Sequence, residues 1–216
     1  MRIRHKPWAK PELDSCPFCV DAVETRGKWN SIFADNSKPL HIELGCGKGG
    51  FISQIAVSHP ENNYVALDIK NEMLVLAKHK IEEAYSAAGR DTDNIRIAIQ
   101  NIERIPMAFS ESDAVDRIYI NFCNPWPKNY HKKRRLTHPK QLCNYKQFLR
   151  GGIWFKTDDD LLFQESLWHF EEAGFEVKFK TYDLHSETYI ENFMTEHEKM
   201  FSSQGIKIKM LIAEAR

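Results

Sequence analysis

The stretch His41-Ile42-Glu43-Leu44-Gly45-Cys46-Gly47-Lys48-Gly49-Gly50 decides the fold. Its first half is apolar and strand-forming apart from one acid, and its second half alternates glycine. That order predicts a buried strand running into a tight turn that opens a helix, the entry of a ligand-binding βαβ unit. Glycine lets the backbone turn sharply there and approach a ligand closely. Working outward, Tyr64–Ile69, Ile95–Asn101, Arg117–Phe122 and Gly152–Thr157 read with Leu40–Gly45 as five short buried strands. Helical spacing marks Gly50–Val57, Asn71–Ala87, Lys140–Leu149 and Leu161–Ala173. Strand alternating with helix implies α/β architecture, a mostly parallel sheet with helices on both faces. Phe175–Asp183 and Ile206–Ala215 add two late strands around a helix within Thr188–Ser203, so an antiparallel C-terminal edge is expected.

The 216 residues suit one domain. Pro7, Pro11 and Pro17 discourage regular structure near the start, so residues 1–20 are expected as a basic, semi-ordered arm before a single domain over 21–216. Hydrophobic content of 42% and charged content of 28% are those of a globular chain, and no apolar run is long enough to span a bilayer. No apolar core follows the basic opening, so a cytoplasmic location is expected. Cys16-Pro-Phe-Cys19 reads first as structural thiols, with half a zinc site or a redox pair as alternatives. No second ligand pair is visible, and no metal is expected.

Net charge is zero, but its distribution is uneven. Arg2, Arg4, Lys6 and Lys10 meet no acid over residues 1–10, nor do Lys128, Lys132, Lys133, Arg134 and Arg135 over 128–135. Unmixed positive runs on a neutral chain fit a nucleic-acid backbone, and Tyr130 and His131 are interleaved with the second. Just before that run, Asn121-Phe122-Cys123-Asn124-Pro125-Trp126-Pro127 ends the fourth strand in a stiff loop. Trp126 offers a ring on which a base can stack, and Asn124 an amide that can read a base edge. The alternative is a proline-stiffened loop around a core tryptophan.

Acids flank the glycine turn. Asp68 ends the next strand, where a carboxylate can accept from ribose hydroxyls. Glu43 precedes the glycines, a poor neighbour for a pyrophosphate but a good one for the ammonium and sulfonium of S-adenosyl-L-methionine. Asn101 ends the third strand, where it can bond an adenine edge or simply form a turn.

Together these residues resemble the bacterial tRNA (guanine-N7-)-methyltransferases, within the class I S-adenosylmethionine-dependent group. The resemblance covers almost the whole chain. It runs through Met1–Ala9, Glu43–Gly49, Phe122–Pro127, Lys128–Leu136, Phe155-Lys156-Thr157-Asp158 and Thr195-Glu196-His197-Glu198-Lys199-Met200-Phe201. It implies a Rossmann-like class I fold with a seven-stranded sheet, and methyl transfer to guanosine N7 in the variable loop of tRNA. It also implies a cofactor site of Glu43, Gly45, Gly47, Asp68, Asn101 and Asn124. Lys128, Asp158, Thr195, Glu196, His197 and Glu198 would contact the guanosine, and Tyr130, His131, Lys132, Lys133, Arg134 and Arg135 would grip tRNA. Asn124 would orient the base, while Asp158 and Glu198 would face its developing charge. The expected partner is tRNA, with neither DNA nor membrane, for a monomer or homodimer. Two departures stand out: the family usually carries Asp at position 124 and Tyr at position 197. A methyltransferase for protein or small molecules, an RNA-binding module with a weakened site, and a nicotinamide dehydrogenase are the rival readings.

Overall fold

The computed structural model describes residues 5–215, so Arg2 and Arg4 of the basic opening lie outside the described residues. A seven-stranded sheet runs in the order β3-β2-β1-β4-β5-β7-β6. Its strands are β1 (Leu40–Leu44), β2 (Asn63–Asp68), β3 (Ile95–Ile99), β4 (Val115–Asn121), β5 (Leu149–Thr157), β6 (Phe175–Thr181) and β7 (Lys209–Ala215). The first five are mutually parallel, and β7 pairs antiparallel with both β5 and β6. The expected α/β class and antiparallel C-terminal edge are both present, with β7 inserted inside the edge strand β6.

Helices follow the predicted alternation: α1 (Ala9–Asp14), α2 (Ile52–Ser58), α3 (Asn71–Ala87), α4 (Pro139–Lys146), α5 (Asp160–Glu172) and α6 (Glu196–Ser203). One face of the sheet packs Ile42, Leu44, Ile118, Ile153 and Phe155 against Leu142 of α4 and Phe163 of α5. The other packs Tyr64, Ala66 and Tyr119 against Ile52 of α2 and Leu74 of α3. With both faces covered, β1 and β2 are buried along their whole length, hence their unbroken apolar runs. Among the described residues no helix is long and apolar enough to cross a membrane.

The arm expected over residues 1–20 is corrected from residue 9 onward. Helix α1 buries Ala9 and Leu13, and Cys16 and Phe18 join the same core. The Phe18 carbonyl accepts from the Ile97 amide at 2.9 Å, and the Val20 amide donates to the Ile97 carbonyl at 3.0 Å. Proline does not prevent this, because Pro11 lies in the first turn of α1, where amides have no helical acceptor. Strand β5 also starts three residues before the expected Gly152. A Cβ on Gly151 would collide with the Asp116 carbonyl, so this glycine marks close strand approach rather than a break.

Candidate active site

The strand order reverses between β1 and β4, so the turn after β1 and the loop after β4 emerge side by side at the carboxyl edge. Crevices for ligands form at such a switch point. Glu43 is the last-but-one residue of β1 and is buried. The Gly45 and Cys46 amides both donate to the Leu67 carbonyl at 2.9 Å, which folds the turn against β2. Gly47 and Gly49 take φ of +56° and +76°. Asp68 fixes this geometry: its two oxygens accept from the Gly47 and Lys70 amides, each at 3.0 Å. Turn-holding is therefore an observed role of Asp68 that the sequence reading did not include.

A cavity of about 260 Å³ lies on the glycine turn, lined by Glu43, Gly47, Met73, Asn121, Phe122 and the α6 segment around His197. The Asn121 side-chain amide donates to Glu43 Oε1 at 2.9 Å, while the buried Glu43 Oε2 has no hydrogen-bond partner. Burial pushes the Glu43 carboxyl up to about 7, against the opposing influence of Asn121 and Lys156. A buried acceptor left over in a ligand-sized cavity suits a cationic donor from a ligand, so the residues present fit the ammonium of an amino-acid group.

The roof is the segment leading into α6. Thr195 caps that helix by accepting from the Glu198 amide at 3.0 Å, a local role typical of threonine there. Glu196 pairs with Lys80 of α3. Gln54 of α2 donates to the Met194 carbonyl at 3.1 Å. His197 stacks between Phe122 and Phe201, with ring centroids 6.2 and 6.3 Å away. The site needs a flat ring at position 197, and histidine supplies one where the family usually has tyrosine.

Glu198 is not available to a base. Its carboxylate is fully buried and accepts from Lys156 at 2.8 Å, His185 at 2.9 Å and Asn192 at 2.5 Å. Burial alone would raise the Glu198 carboxyl, but the charge and hydrogen bond of Lys156, then Asn192 and His185, hold it below the usual carboxylate range. The expectation that Glu198 faces the guanine is corrected, since all its lone pairs point at internal donors.

The loop after β4 carries real backbone strain, since Phe122 and Trp126 both take positive φ (52° and 42°). Asn124 Oδ1 accepts from the Trp126 amide at 3.1 Å and so closes the loop upon itself. Asn101 likewise accepts from the Glu103 amide at 3.0 Å, and it is half-buried. Asp158 follows β5 on the same edge, half-buried; burial raises its carboxyl, opposed by Lys209 and His197.

The basic run divides in two. Arg135 is buried, pairs with Glu165 and donates to the Pro125 carbonyl at 2.6 Å. It anchors the loop, and its expected contact with tRNA is corrected. Lys132 also meets Glu165, at 2.5 Å, and Arg134 meets Glu103 at 2.8 Å while covering Trp126 at 4.2 Å. Lys128 and Lys133 are exposed without a carboxylate partner among the described residues, beside Tyr130 and His131. Sequence alone sees five cations and cannot see Glu165 or Glu103 beside them.

These elements are those of a known family. The model of a family described as "putative methyltransferase" matches residues 37–211. A tRNA (guanine-N(7)-)-methyltransferase of Clostridium beijerinckii is 58% identical, over 99% of this chain and 98% of the relative. That of Ruminiclostridium cellulolyticum is 56% identical, over 99% and 92%. The chain belongs to the tRNA (guanine-N7-)-methyltransferase family. Among solved structures, the 16S rRNA methyltransferase KamB is similar in fold, with TM-score 0.60 at 15% identity over 86% of this chain and 90% of that one. An antibiotic-related methyltransferase has TM-score 0.60 at 18% identity, over 87% and 90%.

Asn121 and Lys156 line the site although sequence reading did not single them out. The available signal was a lysine within a buried strand, since Lys156 sits among Trp154, Phe155 and Thr157. A further clip lies beside the roof. His59, at the end of α2, has Nδ1 2.8 Å from Glu61 and Nε2 2.7 Å from Glu191. Only an imidazolium donates from both nitrogens. Burial alone would lower the His59 value, but its two carboxylate partners outweigh this and raise it. Its folded-state stabilisation is therefore complete below about pH 6.5 and is lost as pH rises through the higher folded value. Hydrogen exchange of residues 187–194 is expected to be slower at pH 6 than at pH 9 after correction for intrinsic rates. In His59→Ala that difference disappears.

Proposed function

We propose that this chain transfers a methyl group from S-adenosyl-L-methionine to N7 of a guanosine in the variable loop of tRNA. The observation that carries the reading is the convergence at one switch point of the glycine turn, with its unsatisfied Glu43 oxygen, and the strained Asn124–Trp126 loop leading to exposed cations. Near-full-length identity to proteins named for that activity supports it. Glu43, the Gly45–Gly47 turn, Asp68 and Asn101 would hold the cofactor, which supplies an electrophilic methyl on a sulfonium. Lys128, Lys133, Tyr130 and His131 would meet tRNA phosphates and bases, and the enzyme would act where tRNA is found, in the cytoplasm.

Guanine N7 presents a lone pair and no proton, so its attack needs no general base. What the chain must provide is alignment, and in-line positioning of two reactants is worth up to roughly 7–11 kcal/mol of barrier. Asn124 orients the base, donating from Nδ2 to guanine O6 while Oδ1 keeps the loop closed. Asp158 faces the positive charge that develops on the purine, a stabilisation that grows toward the transition state. With Glu198 buried, Asp158 carries that role alone.

The test is transfer of labelled methyl to unmodified tRNA followed by nucleoside analysis, with 7-methylguanosine as the expected product. A different methylated nucleoside would overturn the guanine-N7 assignment, and bound tRNA without transfer would favour an RNA-binding role. In the same assay Asp158→Asn is expected to lower kcat about 10- to 100-fold with cofactor affinity unchanged. Wild-type activity should fall with acid through a value above the ordinary aspartate range, because the ionised carboxylate is the active form.

A further inference from the structure

Three strands and the roof helix align one polar group each on a single line across the sheet. In register, Glu43 of β1 lies opposite Tyr119 of β4, and Asn121 of β4 lies opposite Lys156 of β5. All four side chains project to the α2 side, since strand residues two apart share a face. Asn121 joins the line to Glu43 at 2.9 Å, and Lys156 continues it to Glu198 at 2.8 Å. Lys156 also donates to Asn192 Oδ1 at 2.8 Å and to the Phe193 carbonyl at 3.2 Å, and lies 5.4 Å from the Phe51 ring centroid. The line separates the cofactor cavity from a second cleft of about 460 Å³, and Asn121 borders both.

Burying a lysine in a sheet is costly unless it is fully bonded. Anchoring α6 explains the pair with Glu198, but an apolar contact would anchor a helix as well. What an apolar contact would lack is charge beside Glu43. Resting on the functional reading above, we infer that Lys156 is a positioning residue for the cofactor: its ammonium, held by the roof through Glu198, keeps the Glu43 carboxylate ionised for the cofactor's amino group.

The other groups facing Glu43 do not supply this. Asp68 from β2 and Cys46 from the turn add negative charge or none, and Tyr119 from β4 is a phenol held neutral by burial. Glu196 and Lys48 line the cavity, but they are exposed and Glu196 is paired with Lys80. The Ile52 amide of α2 and the Asn121 amide favour the charged form only as dipoles. Lys156 is the one buried cation acting on Glu43.

The experiment is the pH dependence of S-adenosylmethionine binding by calorimetry, between pH 6 and 9, on the full chain. Wild type should lose affinity as pH falls through about 7, where Glu43 takes up a proton. Lys156→Met leaves Glu198 buried without a cation and can fail to fold, so Lys156→Met/Glu198→Gln is the deciding variant. It is neutral and close in shape, and its midpoint should rise by roughly one pH unit, a loss of about tenfold near pH 7 that recovers toward pH 9. Lys156→Arg should keep the wild-type midpoint. A purely structural role predicts a loss equal at every pH, and that result, or a profile superimposed on wild type, would overturn the inference. Absence of binding by wild type at any pH would instead overturn the functional reading on which it rests.

Discussion

Glu198→Ala is expected to lower stability by about 3–5 kcal/mol, the range for removing one partner of a buried ion pair. The reason lies in what stays behind. Lys156 is itself buried, and the substitution removes its only carboxylate partner among the described residues. His185 and Asn192 lose an acceptor at the same time. For a chain of this size the melting temperature should fall by roughly 6–20 °C. Urea denaturation followed by tryptophan fluorescence reads the change directly. A guanosine-contacting Glu198 would instead leave stability unchanged and affect only tRNA turnover, so a stable but inactive Glu198→Ala would reverse the correction made here. The pH dependence carries the same signature. Because the folded Glu198 carboxyl titrates below its ordinary value, its contribution is present above the unfolded value and is lost as pH falls through the folded one. The wild type should lose part of its stability with acid over that window, and Glu198→Gln should lose less.

The second large effect is at Gly49. A Cβ there would stand 2.7 Å from the Ala77 Cβ and 2.8 Å from its Cα, so the clash is partly with helix backbone that cannot rotate away. The residue also takes φ of +76°, which strains any L side chain. Strain of about 1–3 kcal/mol adds to a similar overpacking cost, giving roughly 2–5 kcal/mol for Gly49→Ala. Displacing the turn from α3 would also move Gly47 and the cofactor cavity, so S-adenosylmethionine affinity should fall at least tenfold. Adding Ala77→Gly removes the Cβ contact but leaves the positive φ. About half of the stability loss should return in that double variant, measured by urea denaturation. Full recovery would mean that backbone conformation does not matter at this glycine, and no recovery would mean that α3 does not limit the turn.

The alternation of apolar strands with helical spacing, the glycine turn with Glu43 and Asp68, and the Pro-Trp-Pro loop were all legible along the chain. Local chemistry specifies each of them: period, turn residues and helix caps act over a few positions. From these the α/β class followed, and with the late motif so did the family resemblance. Residues 9–20 escaped because three prolines signal a broken segment, whereas the segment is ordered by Leu13 and Phe18 reaching the core beside α3. The fates of Glu198 and Arg135 were likewise invisible. Each is a charged residue within a motif of charged residues, and sequence gives no account of who stands opposite.

Thus the order of elements and the chemistry of the turns are properties this sequence determines alone, because the interactions responsible are local. The tertiary structure decided which charges are spent inside the protein and which face outward. Lys156 and Glu198 are 42 residues apart and Arg135 and Glu165 are 30 apart, yet each pair meets. Burial makes such a meeting obligatory, since a charge withdrawn from water must find its partner within the fold.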